Sequence, residues 1–318
     1  MDGVAGLTQS SYGKNGNLEF VCPDTDDGFW VFWFNGDNED LEQGAAPGQW
    51  SGGLHIVSGT RMSSVNITQV PLGPNYLEVV SVERQTASRL VWSPERGFVR
   101  MEGPLEFPPS LSSGVIATRT HLNLLVCDSE SVVTHRVASP ATYPSAAWGT
   151  EGTWSTPESQ NDGPLRALDL ATLSGNTGEL WAALAYEGIL RTFHYRNSRW
   201  ETGPTAVVRW ASVHVLTHDR QVHYLGLTVL GRIQIGIFSS AGKFVVTEPN
   251  IAPADSVTAC WSTLAGGAIE IIARRAGAVA HSRWKVETQK LLSVETVMTS
   301  HAWADGDQVS LQRRVSLG

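Results

Sequence analysis

Six short apolar segments recur along this 318-residue chain at intervals of about 43 to 59 residues, and their recurrence limits the possible folds more than any other feature. They are Asn17–Cys22, Tyr76–Val80, Asn123–Cys127, Glu179–Leu184, Val222–Leu227 and Ala268–Ile272. The interval is that of a four-stranded propeller blade. Just before each lies a stretch rich in small and hydroxyl residues: Gly6–Tyr12, Ser64–Val70, Gly114–Thr120, Leu165–Leu173, Ser212–His218 and Ser256–Thr263. These predict inner strands, where blades converge on an axis and bulky side chains have no room. After each apolar segment comes a turn of Gly, Asp or Ser and then a strand that often carries Trp, as in Phe29–Trp33, Arg89–Trp92 and His281–Trp284.

Helical periodicity is absent over any window long enough for a helix, and Gly or Pro interrupts almost every interval. The chain is therefore expected to be all-β, a β-propeller of about six four-stranded blades forming one domain over residues 1–318. The alternative is seven blades, one of them partial, because Val294–Leu317 adds at least one strand beyond six repeats. That segment is expected to close the ring by pairing with the first blade.

Composition narrows the function. Hydrophobic residues make up 42% and charged residues 17%, enough apolar material for a large core. The formal net charge is -8, and no basic run exceeds the pairs Arg274–Arg275 and Arg313–Arg314. A surface that tracks phosphates is not expected, so nucleic acid is not a partner. No apolar stretch reaches the roughly 18 residues of a membrane span, and Met1–Gly6 lacks the basic and apolar regions of a signal peptide. A soluble chain is expected, either cytosolic or processed in a secretory pathway. Cys22, Cys127 and Cys260 have no paired spacing, which indicates neither a zinc site nor a disulfide framework. Asn66-Ile67-Thr68 is a glycosylation sequon inside an alternating strand pattern. Twelve Trp is high; each aromatic side chain buries roughly 150 to 250 Å², so most belong in the core and the remainder are available to line a site.

No motif spells out a reaction. Asp24-Thr25-Asp26-Asp27-Gly28 alternates carboxylates but lacks the terminal Glu of a calcium loop, and a polar hairpin turn is the expectation. His214 and His218 share one face of a strand without a further carboxylate beyond Asp219, and no metal is expected. There is no Gly-x-Ser-x-Gly elbow, phosphate-cradling loop or Cys-His nucleophile context. What remains is a set at the ends of the inner strands: Tyr12, Arg119, His121, His218, Trp261, His301 and Trp303. Such ends face one mouth of a propeller, where they are expected to converge on a mostly apolar pocket with a few polar anchors.

The units Asn17–Val21 and Asn75–Val80, each followed by a turn and a Trp-bearing strand, resemble the blades of fungal fucose-binding lectins. Those lectins repeat an Arg, Glu and Trp sugar-binding set from blade to blade; here Arg100 and Glu102 have no counterparts at matching places in the other blades. By length, blade pattern and loss of repeated sugar sites the chain also resembles the fungal hetero-Diels-Alderases of tropolonic sesquiterpenoid pathways. That resemblance implies joining a humulene-type alkene to a tropolone quinone methide without a cofactor. In such an enzyme Tyr12, Trp261 and Trp303 would wall the apolar alkene. Arg119, His121, His218 and His301 would polarise the tropolone oxygen or assist loss of water from its precursor. The lectin resemblance implies instead a glycan-binding module, with several equivalent sites.

Overall fold

The computed structural model describes residues 5–37, 45–71, 75–83, 86–101, 105–106, 110–118, 120–128, 132–139, 143–145, 148–155, 167–172, 179–186, 188–218, 221–298 and 314–316. Six antiparallel sheets follow one another along the chain and form six blades. Blade I is β1 (Gly6–Gln9), β2 (Leu18–Pro23), β3 (Phe29–Phe34) and β4 (Leu54–Val57). Blade II is β5 (Ser64–Val70), β6 (Tyr76–Glu83), β7 (Thr86–Ser93) and β8 (Gly97–Arg100), with the short β9 (Leu105–Glu106) also paired to β7. Blade III is β10 (Ser110–Ala117), β11 (Leu122–Asp128), β12 (Val132–Ala138) and β13 (Trp148–Ser155). Blade IV is β14 (Ala167–Thr172), β15 (Leu180–Tyr186), β16 (Ile189–Arg196) and β17 (Arg199–Val207). Blade V is β18 (Trp210–His218), β19 (Gln221–Thr228), β20 (Ile233–Phe238) and β21 (Phe244–Thr247). Blade VI is β22 (Ser256–Ser262), β23 (Ala268–Arg275), β24 (Ala278–Lys285) and β25 (Lys290–Met298).

The six recurring apolar segments are the second strands of the six blades, and the small-residue stretches are the first strands. First strands contact their neighbours around the ring in the order β1, β5, β10, β14, β18, β22 and back to β1. Gly6 shows why bulk is excluded there: an added Cβ would sit 2.7 Å from the backbone nitrogen of Ile67 on β5. The second strands are almost fully buried, as in β2 and β11, because the blades stack face to face and cover both sides of them. The seams hold the core, in clusters shared between adjacent blades such as Val21, Phe29 and Ile56 of blade I with Val65, Val79 and Leu90 of blade II.

The terminal segment divides in two. Lys290–Met298 completes blade VI, and β26 (Arg314–Ser316) pairs in parallel with β4, placing Val315 opposite Ile56. Its pairing with the first blade is as expected, and it makes six blades rather than seven. No helix among the described residues is long and apolar enough to cross a membrane.

Candidate functional site

An internal register links the six blades to the chemistry of the seams. Near the start of each second strand an apolar residue is followed by Glu19, Glu78, Asn123, Trp181, His223 or Glu270 in turn. Five of these six are polar, and all five are buried. On the fourth strands of blades II to VI, Phe98, Trp148, Trp200, Phe244 and Leu291 occupy the matching position, opposite Trp92, Ala138, Tyr195, Phe238 and Trp284, and in blade I Trp50, in an isolated bridge ahead of β4, stands opposite Phe34. At three seams a polar side chain of one blade meets a tryptophan of the next: His135 with Trp200, His281 with Trp50, and Arg89 with Trp148.

Two seams carry this arrangement in full. Between blades III and IV, His135 is completely buried; its Nε2 lies 3.1 Å from Asn123 Oδ1 while the indole N–H of Trp200 donates to its Nδ1 at 3.4 Å. Between blades VI and I the same pattern returns, with His281 Nε2 2.7 Å from Glu270 Oε2 and the Trp50 indole donating to Nδ1 at 3.4 Å. Arg283 adds a guanidinium N–H to Glu270 at 2.8 Å and Ser262 a hydroxyl. Burial lowers the His135 pKa to about 4, with Glu151 opposing and His121 reinforcing the shift. Burial also works against charge on His281, but hydrogen bonds to Glu270 and Glu295 outweigh it and hold that imidazole above its ordinary value.

The seam between blades II and III opens into a cleft. Arg89 takes the place of the histidine: it forms a buried ion pair with Glu78 and lies 5.2 Å from the ring centre of Trp148. The Tyr143 hydroxyl donates to Glu78 at 3.1 Å, and Tyr143 packs on Tyr76 at 5.5 Å. Burial holds the Glu78 carboxyl above its ordinary range although Arg89 and Tyr143 both donate to it. The Trp148 indole N–H, which its counterparts spend on histidines, is buried without a hydrogen-bond partner among the described residues. Beside this group is a cleft of about 540 Å³. One face of blade II lines it with Tyr76, Arg89, Val91, Ser93, Val99 and Met101, the turn residue Arg96 borders it, and Pro144 and Ser145 of blade III complete the lining; the Arg100 side chain turns to the other face of the blade, where it donates to Ser88 at 3.0 Å.

None of the described residues singled out from sequence lines this cleft. His218 and Trp261 come together, stacked at 3.6 Å across blades V and VI. Tyr12 meets the edge of Trp92 at 5.6 Å, and His121 is exposed in the turn into β11. Arg119, His301 and Trp303 lie outside the described residues. First-strand ends do share one mouth: the Gln9 side-chain amide donates to Thr263 at 3.0 Å, the Ser11 backbone N–H donates to Gln69 Oε1 at 2.7 Å, and the Ala117 N–H donates to Thr68 at 3.3 Å. Sequence reading missed Glu78, Arg89, Tyr143 and the two His–Trp seams. The signal was present, because a titratable residue embedded in the most apolar strand of a blade costs several kcal/mol unless it is paired.

The remaining motifs resolve as structure. Asp24 caps its own turn, accepting the backbone N–H of Asp26 at 2.9 Å and the Trp30 indole at 2.7 Å. His214 reaches the Val257 carbonyl at 2.8 Å, and no group of three metal-ligating side chains occurs among the described residues. The Asn66 amide is buried and donates to Ser113 Oγ at 2.9 Å, so it does not present a glycosylation site. All three cysteines are free thiols, and burial pushes those of Cys22 and Cys127 up to about 12.

No protein-family profile matches the sequence, and no curated protein matches it. Solved structures do. AofleA from Arthrobotrys oligospora is similar at TM-score 0.69 and 9% identity, over 94% of this chain and 87% of that one. A single-residue variant of Aleuria aurantia lectin, in complex with α-methyl-L-fucoside, is similar at TM-score 0.68 and 10% identity, over 94% of this chain and 96% of that one. SapL1 lectin in complex with α-methyl fucoside gives TM-score 0.62 and 12% identity, over 92% of this chain and 95% of that one. The chain thus has the lectin-like fold of a six-bladed β-propeller.

Proposed function

We propose that this chain works at one site, the cleft between blades II and III, and that the site takes oxygenated small molecules. The observation that carries this reading is the inequality of the seams. Those of His135 and His281 are closed by a Trp–His hydrogen bond, whereas Arg89 leaves the equivalent place open as a cleft of about 540 Å³. A ligand that fills it meets Arg89 and Arg96 together with Tyr76, Val91, Val99 and Met101.

We infer that the reaction is a hetero-Diels-Alder cycloaddition of a tropolone quinone methide with a humulene-type sesquiterpene. One C–O and one C–C bond form, three π bonds become one, and nothing leaves. The protein's task is alignment, which contributes roughly 7 to 11 kcal/mol, and hydrogen bonding to oxygen as charge builds on it. Arg96 supplies a donor beside the Arg89–Glu78 pair, and the apolar side chains hold the alkene. Glycan binding is the second reading, favoured by the grouping of Glu78, Arg89 and Trp148, the residue types of the lectin set.

The test presents purified protein with both reactants and, separately, with α-methyl fucoside. Rate acceleration with a single stereoisomer, abolished by the cleft-filling Val99→Trp, is the expected result. Fucoside binding without acceleration transfers the site to the second reading, and neither activity overturns the cleft assignment.

A further inference from the structure

Three loops lie side by side at the end of the propeller where β18 begins and β19 finishes. Residues 207–209 lead from blade IV into β18, residues 229–231 turn between β19 and β20, and residues 251–254 lead toward blade VI. Backbone bonds tie them together: the Val229 N–H donates to the Arg209 carbonyl at 3.3 Å and the Ala254 N–H to the Gly231 carbonyl at 2.8 Å. Val208 and Gly231 donate in turn to the carbonyls of Gly188 and Thr228, at 2.7 and 2.9 Å. Covering these loops would strand none of those donors. Their tips are apolar, with Val207, Val229 and Leu230 exposed by 91%, 60% and 75%. A single exposed aliphatic residue is ordinary, but three on adjoining turns mark an interaction surface.

Cations border these tips although the chain has a formal net charge of -8. The Asp255 N–H donates to the Arg274 carbonyl at 2.7 Å, which brings the end of β23 and Arg275 alongside the third loop. Arg209 and Arg275 are exposed and make no side-chain hydrogen bond or ion pair among the described residues. Arg232 is exposed as well and reaches Glu248 at 3.4 Å, while the Asp255 carboxylate accepts the Ala276 N–H at 2.8 Å. The corresponding β2–β3 turn of blade I carries Asp24, Asp26 and Asp27 instead, so the two signs of charge are separated around this end of the ring.

We propose that this end of blade V docks on a lipid bilayer with anionic headgroups. Val207, Val229 and Leu230 enter the boundary between headgroups and acyl chains, and Arg209, Arg232 and Arg275 meet the headgroups. The size of the patch decides against a protein partner: a specific protein interface engages roughly 20 to 30 residues a side, and three aliphatic turn tips do not supply one. A bilayer yields around a protruding side chain and needs no matching groove. The proposal is independent of the cleft between blades II and III.

Cosedimentation of the full chain with vesicles of phosphatidylcholine, alone or mixed with phosphatidylserine, tests it. The mixed vesicles are expected to bind at least about tenfold more tightly, and the preference should weaken with salt. Binding should fall at least about tenfold in Val207→Ser/Val229→Ser/Leu230→Ser and also in Arg209→Gln/Arg275→Gln, whose unchanged melting temperatures report that both are folded. Equal binding to the two kinds of vesicle, undiminished in the arginine variant, overturns the anionic headgroups. Binding retained by the triple variant overturns the site. No binding to either vesicle overturns the proposal, and a dimer in sedimentation velocity that the triple variant dissociates would then assign the patch to a second copy of the chain.

Discussion

The indole N–H of Trp50 donates to Nδ1 of His281 at 3.4 Å across the seam where blade I meets blade VI. Trp200 and His135 repeat that bond at the same length between blades III and IV. Each imidazole in its neutral form accepts this bond at an unprotonated Nδ1, which places the proton on Nε2, toward Glu270 in one seam and Asn123 in the other, while the charged form of His281 turns Nδ1 toward Glu295. One partner is a carboxylate and the other an amide, and that difference gives the two seams opposite responses to acid.

For His281 the folded pKa is raised, so the stability it contributes is present below the unfolded value near 6.5 and is lost as pH rises through the folded value. Glu270 is held below its ordinary range: burial opposes this, and His281 and Arg283 overcome it. Its contribution is present above the unfolded value near 4.5 and is lost as pH falls through the folded value. The pair therefore stabilises most between the two, at weakly acidic pH. Melting temperatures measured against pH should show that His281→Asn loses most in this window; a uniform loss would contradict it.

His135 has the reverse sign. With its pKa lowered to about 4, the unfolded chain binds the proton first, and stability falls as pH drops from about 6.5 toward 4. The whole span is worth about 3 kcal/mol. His135→Gln should flatten this acid limb in a denaturation series.

The same contrast separates two tryptophans. At a pH above the raised titration of His281, where both imidazoles are neutral, Trp50→Phe and Trp200→Phe should each cost about 1 kcal/mol for the lost hydrogen bond. At weakly acidic pH a protonated His281 can turn its Nδ1 proton to Glu295, 3.8 Å away, so the cost of Trp50→Phe should shrink. That of Trp200→Phe should persist until His135 titrates. Chemical denaturation of both variants at the two pH values checks this.

Glu19 is buried with Ser10 as its hydrogen-bond donor, and burial raises its pKa to about 8. Stability is lost as pH rises from the unfolded value near 4.5 toward 8, because the folded site resists ionisation. Glu19→Gln keeps a neutral hydrogen-bonding group, so it should raise the melting temperature above pH 8 and leave it nearly unchanged in acid. A loss of stability at alkaline pH would show that the carboxylate is held ionised.

Gly226 on β19 lies under Trp210, where an added Cβ would sit 1.9 Å from the indole. Gly226→Ala is expected to destabilise by about 2 to 4 kcal/mol through displacement of that ring from the core. Urea unfolding of the variant measures it, and a change below the error of the method would mean that Trp210 moves freely.

What the sequence determined by itself was the ring. Alternating apolar segments at a blade's interval, small residues before each and turns after them, are local properties of the chain, and they placed β2, β6, β11, β15, β19 and β23 as the second strands. Only the tertiary structure decided where the cleft between blades II and III lies. Arg89 and Trp148 are remote in sequence and on different blades, as are Trp50 and His281, and nothing in local periodicity says which side chains face one another when blades stack. The cleft exists because an arginine, too long and too strongly charged to seal the seam as histidine does, occupies that place in one blade. The surrounding packing, not the pattern of strands, sets that consequence.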